Sequence, residues 1–310
     1  MITHAQNRPH LNRRRFLTLS ACAALPMAAR AAAAPAPQEW RGQAMGADVT
    51  LRLRGAAPMQ ARAFFAEAQR LLAHVENQFS LHRDSDLARL NRLGRLRFPD
   101  RDMLALMALS QRLHEATGGA FDPSVQPLWL ARATGTDENA ARALTGWQAV
   151  EWSPDEIRLT RPGMALTLNG IAQGLAADRL AEAATRHDLT EILIDAGETR
   201  AMGPHDWRAA LADARGRVHR HIALRERALA TSSPMGTRIG PRGAAHILAT
   251  DGRTPVWDTI SVSAPQAALA DGLSTALCLM SAQATRKALA TLTDCRIELA
   301  IPAENPDDKS

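Results

Sequence analysis

The sequence predicts an α+β fold with mixed, mainly antiparallel sheets flanked by helices. Segments whose apolar residues recur at helical spacing are interspersed with short strand-like segments, with no regular βαβα rhythm and no internal repeat, which argues against a doubly wound sheet. Neither a Gly-x-Gly-x-x-Gly turn nor a phosphate-loop fingerprint occurs, so a nucleotide would have to be held in another way.

Taken in order, residues 1–34 read as a twin-arginine export signal: Arg13 and Arg14 precede Phe16 and Leu17, and an alanine-rich apolar stretch ends in small residues such as Ala29 and Ala31. The run is broken by Pro26 and Arg30, far short of the ~20 apolar residues a membrane helix needs. An ordinary secretory signal stays open as an alternative. So does a lipoprotein anchored at Cys22, because Leu19-Ser20-Ala21-Cys22 has the form of a lipid-attachment box. The expected product is a periplasmic body over residues 35–303, delivered by the twin-arginine translocase, with a polar tail at 304–310.

Residues 42–54 read as a strand pair or one long strand. Residues 59–78 form a helix through Ala63, Phe64, Ala68, Leu71, Leu72 and Val75. Helices continue over 84–93 and 100–116, the second stopped by Gly118-Gly119. Residues 131–146 look like a variable surface insertion. Short strands are expected at 149–152, 156–160 and 164–168, a helix at 170–187, and further strands up to 264. Helices at 266–280 and 284–292 and a strand at 296–301 complete the chain.

The whole chain is basic, with 37 Lys and Arg against 32 Asp and Glu, but Arg8, Arg13, Arg14, Arg15 and Arg30 all lie in the export segment. Without them the charges balance, which gives no support for a nucleic-acid partner or an anionic membrane surface. Cys278 and Cys295 remain as small core residues; their bridging is possible but not expected, and no Cys/His spacing suits a transition metal.

Three local constellations carry chemistry. Thr167-Leu168-Asn169-Gly170-Ile171-Ala172-Gln173-Gly174 runs from a strand through glycines into a helix, where first-turn amides can face an anion; it can equally be plain turn geometry. Asp271 and Thr275, four residues apart on a predicted helix, share one face and together offer two hard oxygens suited to magnesium, or are merely an exposed or capping residue and a packed one. In Gly118-Gly119-Ala120-Phe121-Asp122-Pro123 an aromatic and a carboxylate sit side by side, as a flavin edge could use, or as a core residue and a turn former would.

These segments occur in order with Gln43-Ala44-Met45-Gly46, Phe79-Ser80-Leu81-His82-Arg83-Asp84-Ser85, Asp195-Ala196-Gly197-Glu198, Ala230-Thr231-Ser232, His246-Ile247-Leu248 and Ser263-Ala264-Pro265. In that combination the chain resembles the ApbE-like FAD:protein FMN transferases over nearly the whole mature sequence. The Leu-Asn-Gly-Ile-Ala-Gln-Gly form and the segment from Thr231 to Thr237 are most similar to the NosX branch, associated with the flavoprotein NosR of nitrous oxide reduction.

The resemblance implies an ApbE-like flavin transferase fold. It also implies an FAD site lined by Met45, His82, Ala120, Phe121, Asp122, Thr167, Gln173, Leu248 and Ser274. Magnesium would be held by the Gly170 carbonyl, Asp271 and Thr275, with Asp271 and His246 serving the chemistry. His246 is the candidate base, though a strand-end histidine satisfied by backbone is the competing reading. The implied reaction moves FMN from FAD onto a Thr or Ser of a periplasmic or membrane-anchored flavoprotein acceptor and releases AMP. FAD hydrolysis and non-catalytic flavin binding are the alternatives. Four positions depart from the family pattern: His82 stands for a usual Tyr, Thr167 for Asp, Gln173 for Lys or Glu, and Ala249-Thr250-Asp251-Gly252-Arg253 for Asp-Pro-Arg-Thr-Gly.

Overall fold

The computed structural model describes residues 37–303; the export segment and the polar tail expected from the sequence lie outside the described residues. Strands β1 (Gln38–Ala44) and β2 (Ala47–Leu53) form a hairpin whose tip residues, Met45 and Gly46, both take positive φ. Helix α1 (Pro58–Phe79) follows, with proline at its first position, where the missing N–H leaves no bond unmade. Helix α2 (Asp86–Leu93) begins later than the sequence suggests because the Ser85 hydroxyl accepts the Ala88 amide and caps it. Then come β3 (Arg95–Arg97) and α3 (Arg101–Ala116), the latter stopped by Gly118 and Gly119, both at positive φ.

Two short helices, α4 (Gln126–Thr134) and α5 (Glu138–Arg142), occupy most of the stretch expected to be a surface insertion. Ala131 and Ala141 are buried there, so the segment is packed onto the body. Strands β4 (Val150–Trp152) and β5 (Glu156–Leu159) join β3 in a small sheet. The strand expected at 164–168 is absent. Met164, Leu166 and Leu168 alternate inward as in a strand, but the Leu166 backbone pairs at 2.7 and 2.9 Å with the Asn91 side chain, and the Thr167 amide donates to Pro123 O. A side-chain amide stands in for a neighbouring strand.

Helix α6 (Ala172–Arg186) leads to β6 (Ile192–Asp195), β7 (Thr199–Met202), β8 (Trp207–Ala212), β9 (Val218–Leu224) and β10 (Ala228–Ser232). An excursion containing β11 (Arg238–Ile239) and β12 (Ala244–Ala245) separates β10 from β13 (Trp257–Ala264). Helices α7 (Ala267–Leu277) and α8 (Ala282–Thr291) and strand β14 (Arg296–Pro302) end the described chain.

Seven strands make one sheet in the order β1-β2-β6-β7-β10-β13-β14, with every neighbouring pair antiparallel. Period-two alternation gives the sheet two apolar faces. Ala228, Ala230, Ile260 and Val262 join the main core under α6 and α7, whereas Leu229 and Leu193 point to a second cluster beneath the β8–β9 hairpin. Cys278 and Cys295 are free thiols, Cys278 fully buried. Among the described residues no helix is long and apolar enough to cross a membrane.

Candidate functional site

The site is built where α6 and α7 touch. A Cβ on Gly174 of α6 would lie 2.4 Å from Ala267 O and 2.5 Å from Ala268 Cα, both backbone atoms, so only glycine allows this approach. Across the contact each helix supplies an acceptor for the start of the other. Asp271 Oδ2 on α7 accepts the Gly174 amide at 3.2 Å. Asp178 on α6 accepts the Ala267 and Ala268 amides at 2.8 and 3.0 Å, supplying the side-chain cap that the extended Gln266 does not. Burial pushes the Asp178 carboxyl above its ordinary range, and the two amides partly counter it.

This arrangement corrects one expectation. The helix begins at Ala172, not at Gly170, and two of its first-turn amides are already bonded within the protein. The Ile171 and Ala172 amides both donate to Leu168 O, at 3.0 and 2.9 Å, and the Gly174 amide is taken by Asp271.

The Gly170 turn, Asp271 and Thr275 do come together. A Cβ on Gly170 would sit 3.2 Å from Thr275 Oγ1 and 3.6 Å from the Phe121 ring, and one on Gly272 would meet the same ring at 3.4 Å. Phe121 therefore lies across two bare backbone positions, and it is buried. Its amide donates to Thr117 Oγ1 and its carbonyl is bonded by His114 Nδ1, each at 3.0 Å, which fixes the loop that also carries the buried Ala120. Asp271 is buried and Thr275 half-buried. The Asp271 carboxylate and the Thr275 hydroxyl, one helical turn apart, are hard oxygens of the kind that magnesium takes.

Strand β10 closes this side with hydroxyls. Ser232 Oγ lies 2.8 Å from Ser274 Oγ and 3.3 Å from Thr275 Oγ1, and Ser274 Oγ donates to Asp271 O at 3.0 Å. Ser232 also accepts the Cys278 thiol through its carbonyl. Ser232 has no role in the reading of the sequence, where it stands only as part of a motif.

Other predicted positions are held by local partners. Asp122 Oδ1 accepts both the Ser124 amide and hydroxyl, as a turn former would, while its Oδ2 accepts Thr250 Oγ1 at 3.3 Å from the excursion that carries Leu248. Arg142 secures that excursion by donating to Thr250 O at 2.6 Å. Thr167 is pinned beside Pro123, and the buried Gln173 amide lies against Gly197, within 3.0 Å of where a Cβ would be. His246 Nδ1 faces Pro234 O at 2.9 Å and Thr237 O at 3.1 Å. Both partners are carbonyls, so Nδ1 carries a proton. Met45 and His82 form a separate group. Glu76 of α1 accepts the Met45 amide at 2.8 Å and pairs with Arg83 at 3.0 Å, and the neighbouring His82 is exposed.

Among the described residues, His74, Asp100 and Asp102 also cluster closely enough to suggest a metal. Arg179 already pairs with Asp102 at 2.6 Å, and Asp100 caps α3. That group is accounted for as an ion-pair knot between α1, α3 and α6.

Known proteins share this architecture. The solved flavin transferase ApbE from Vibrio cholerae superposes with a TM-score of 0.72 at 22% identity, covering 86% of this chain and 97% of its own. The apo form of the Pseudomonas stutzeri flavinyl transferase ApbE gives 0.70 at 25% identity over 82% and 87%. The ApbE protein of Thermotoga maritima gives 0.74 at 23% identity over 88% and 98%. In sequence, the FAD:protein FMN transferase of Treponema pallidum is 27% identical, covering 70% of this chain and 71% of its own length. The ApbE family profile matches residues 45–298, from the tip of the first hairpin into the last strand, and with this fold around the α6–α7 contact the chain belongs to the ApbE family.

Proposed function

We propose that this chain is an FAD:protein FMN transferase that requires magnesium and acts outside the cytoplasm on a Thr or Ser hydroxyl of a flavoprotein acceptor. The observation that carries the reading is the meeting of the Gly170 turn with the α7 pair Asp271 and Thr275, which lies far from it along the chain. The name of the Treponema relative and membership of the ApbE family support the same activity.

The Gly170 carbonyl, Asp271 and Thr275 would hold the cation. Magnesium there supplies charge neutralisation for the diphosphate of FAD and polarises its phosphorus. Asp271, fixed by the Gly174 amide, sets the diphosphate position relative to Phe121 and Asp122. Ala120, Phe121, Asp122, Thr167, Gln173, Leu248 and Ser274 belong to the flavin pocket on this reading, with Met45 and His82 at its outer rim. The acceptor hydroxyl attacks the FMN phosphorus. A new phosphoester bond forms as the bond to the bridging oxygen breaks, AMP leaves with that oxygen, and the hydroxyl proton passes to the candidate base, His246.

Residues 1–34 support export by the twin-arginine route, and the Leu-Asn-Gly-Ile-Ala-Gln-Gly form supports a NosR-like acceptor of nitrous oxide reduction. The experiment is incubation of the mature protein with FAD, Mg²⁺ and candidate periplasmic acceptors. The expected outcome is flavin fluorescence on the denatured acceptor with an equal amount of AMP. AMP without labelled acceptor would make the chain a hydrolase, and tight FAD binding without turnover at any Mg²⁺ concentration would make it a flavin carrier.

A further inference from the structure

Three hydroxyls meet between β10 and α7, and a single assignment of their protons makes all three contacts hydrogen bonds at once. Each hydroxyl has one proton to give. Ser274 gives its own to Asp271 O at 3.0 Å, one turn back along its helix. Toward Ser232, 2.8 Å away, Ser274 can then only accept, so the Ser232 proton is committed to it. At the remaining contact of 3.3 Å, Ser232 Oγ can only accept, and Thr275 must donate.

We infer that Ser232 is a positioning residue that turns the Thr275 proton toward β10 and so leaves the Thr275 lone pairs directed away from it, on the side of Gly170, as a divalent cation requires. A threonine whose proton pointed at a cation would repel it. One whose hydroxyl spun between rotamers would offer its lone pairs only part of the time. The chain Thr275 to Ser232 to Ser274 to Asp271 O removes that freedom. Its last acceptor is the carbonyl of the residue whose carboxylate is the other side-chain oxygen, so both donors are referred to one backbone segment. Ser232 itself is immobilised by its place in the sheet opposite Ile260 and by the Cys278 thiol on its carbonyl. The inference rests on the cation reading given above.

The test is the affinity of the full mature protein for Mn²⁺ as a stand-in cation, read from the loss of the free-ion electron paramagnetic resonance signal with FAD present. Ser232→Ala is expected to weaken binding by about tenfold, the usual scale for losing an outer partner of a metal ligand, with an unchanged melting temperature in chelator. Ser232→Thr, which keeps the hydroxyl, is expected to restore it. In the Thr275→Val background Ser232→Ala is expected to cost nothing further, because its effect runs through Thr275. Unchanged affinity in Ser232→Ala, or a full additional loss in the Thr275→Val background, overturns the inference. If wild type itself binds no Mn²⁺ saturably, the cation reading fails with it, and the two failures are told apart by that control.

Discussion

Gly174→Ala pits two effects of opposite sign against each other. In an exposed helix interior the change gains about 1 kcal/mol, because glycine is the poorer helix former. Here the added Cβ would meet Ala267 O at 2.4 Å and Ala268 Cα at 2.5 Å. Ordinary contacts need about 3.5 Å, so α6 and α7 must separate by about 1 Å, and neither obstacle is a side chain that can swing away. Overpacking of that kind costs about 1–3 kcal/mol. The separation also stretches the 3.2 Å bond between the Gly174 amide and Asp271, and a hydrogen bond to a charged group contributes about 1.5–3 kcal/mol. The costs win, and a net loss of about 2–3 kcal/mol is expected. Urea unfolding followed by tryptophan fluorescence measures it. Gly272→Ala is the internal comparison, since its Cβ would meet side-chain atoms of Leu113 and Ile171, at 2.3 and 2.7 Å, and no backbone. Its loss should be smaller. A Gly174→Ala protein as stable as wild type, or more so, would refute the claim that this glycine exists for the helix contact.

Asp271→Asn keeps the size of the side chain but removes its charge, and FMN transfer at saturating FAD is expected to fall at least about 100-fold, with recovery at no Mg²⁺ concentration; full transfer activity would remove the cation assignment. His246→Gln is expected to slow transfer by about 10²–10⁴-fold while leaving FAD affinity, measured by flavin fluorescence, within twofold. Asp178→Ala leaves the Ala267 and Ala268 amides without their cap and is expected to cost about 1–2 kcal/mol in urea unfolding; an unaltered midpoint would show that the cap is dispensable. Burial raises the Asp195 carboxyl to about 6, so the folded state holds a proton that the unfolded chain releases near 3.8. Stability contributed by that difference is complete below about pH 4 and declines as pH climbs to about 6, by up to about 3 kcal/mol. Asp195→Asn should flatten this slope in unfolding midpoints measured from pH 4 to 8, and parallel profiles for the two proteins would contradict the assignment.

What the sequence made legible was whatever is encoded within one segment. Helix α1 and the glycine stop after α3 announce themselves by local spacing or turn residues, and Asp271 with Thr275 by the four-residue step of a single helix, whereas the β1–β2 hairpin reads only as a strand pair or one long strand over 42–54. What stayed hidden depends on partners distant along the chain. Ser232 and Ser274 are 42 residues apart, Asp178 and the Ala267 amide 89, and Asn91 and Leu166 75. The error at 164–168 has the same origin, because the inward alternation was real but the backbone partner was a side chain. The first turn of α6 misled for a related reason. A glycine-rich strand-to-helix turn is a generic anion site only while its amides are unclaimed, and here an aspartate from α7 claims one.

The exchange of aspartates between α6 and α7 makes the two helices hostages to each other. Each amino-terminal turn, where peptide dipoles leave residual positive charge, is already answered by the neighbour's carboxylate. The positive ends of the two helices are therefore turned toward each other's carboxylates, inside the scaffold. Neither aspartate can be replaced without unsettling the helix to which it does not itself belong.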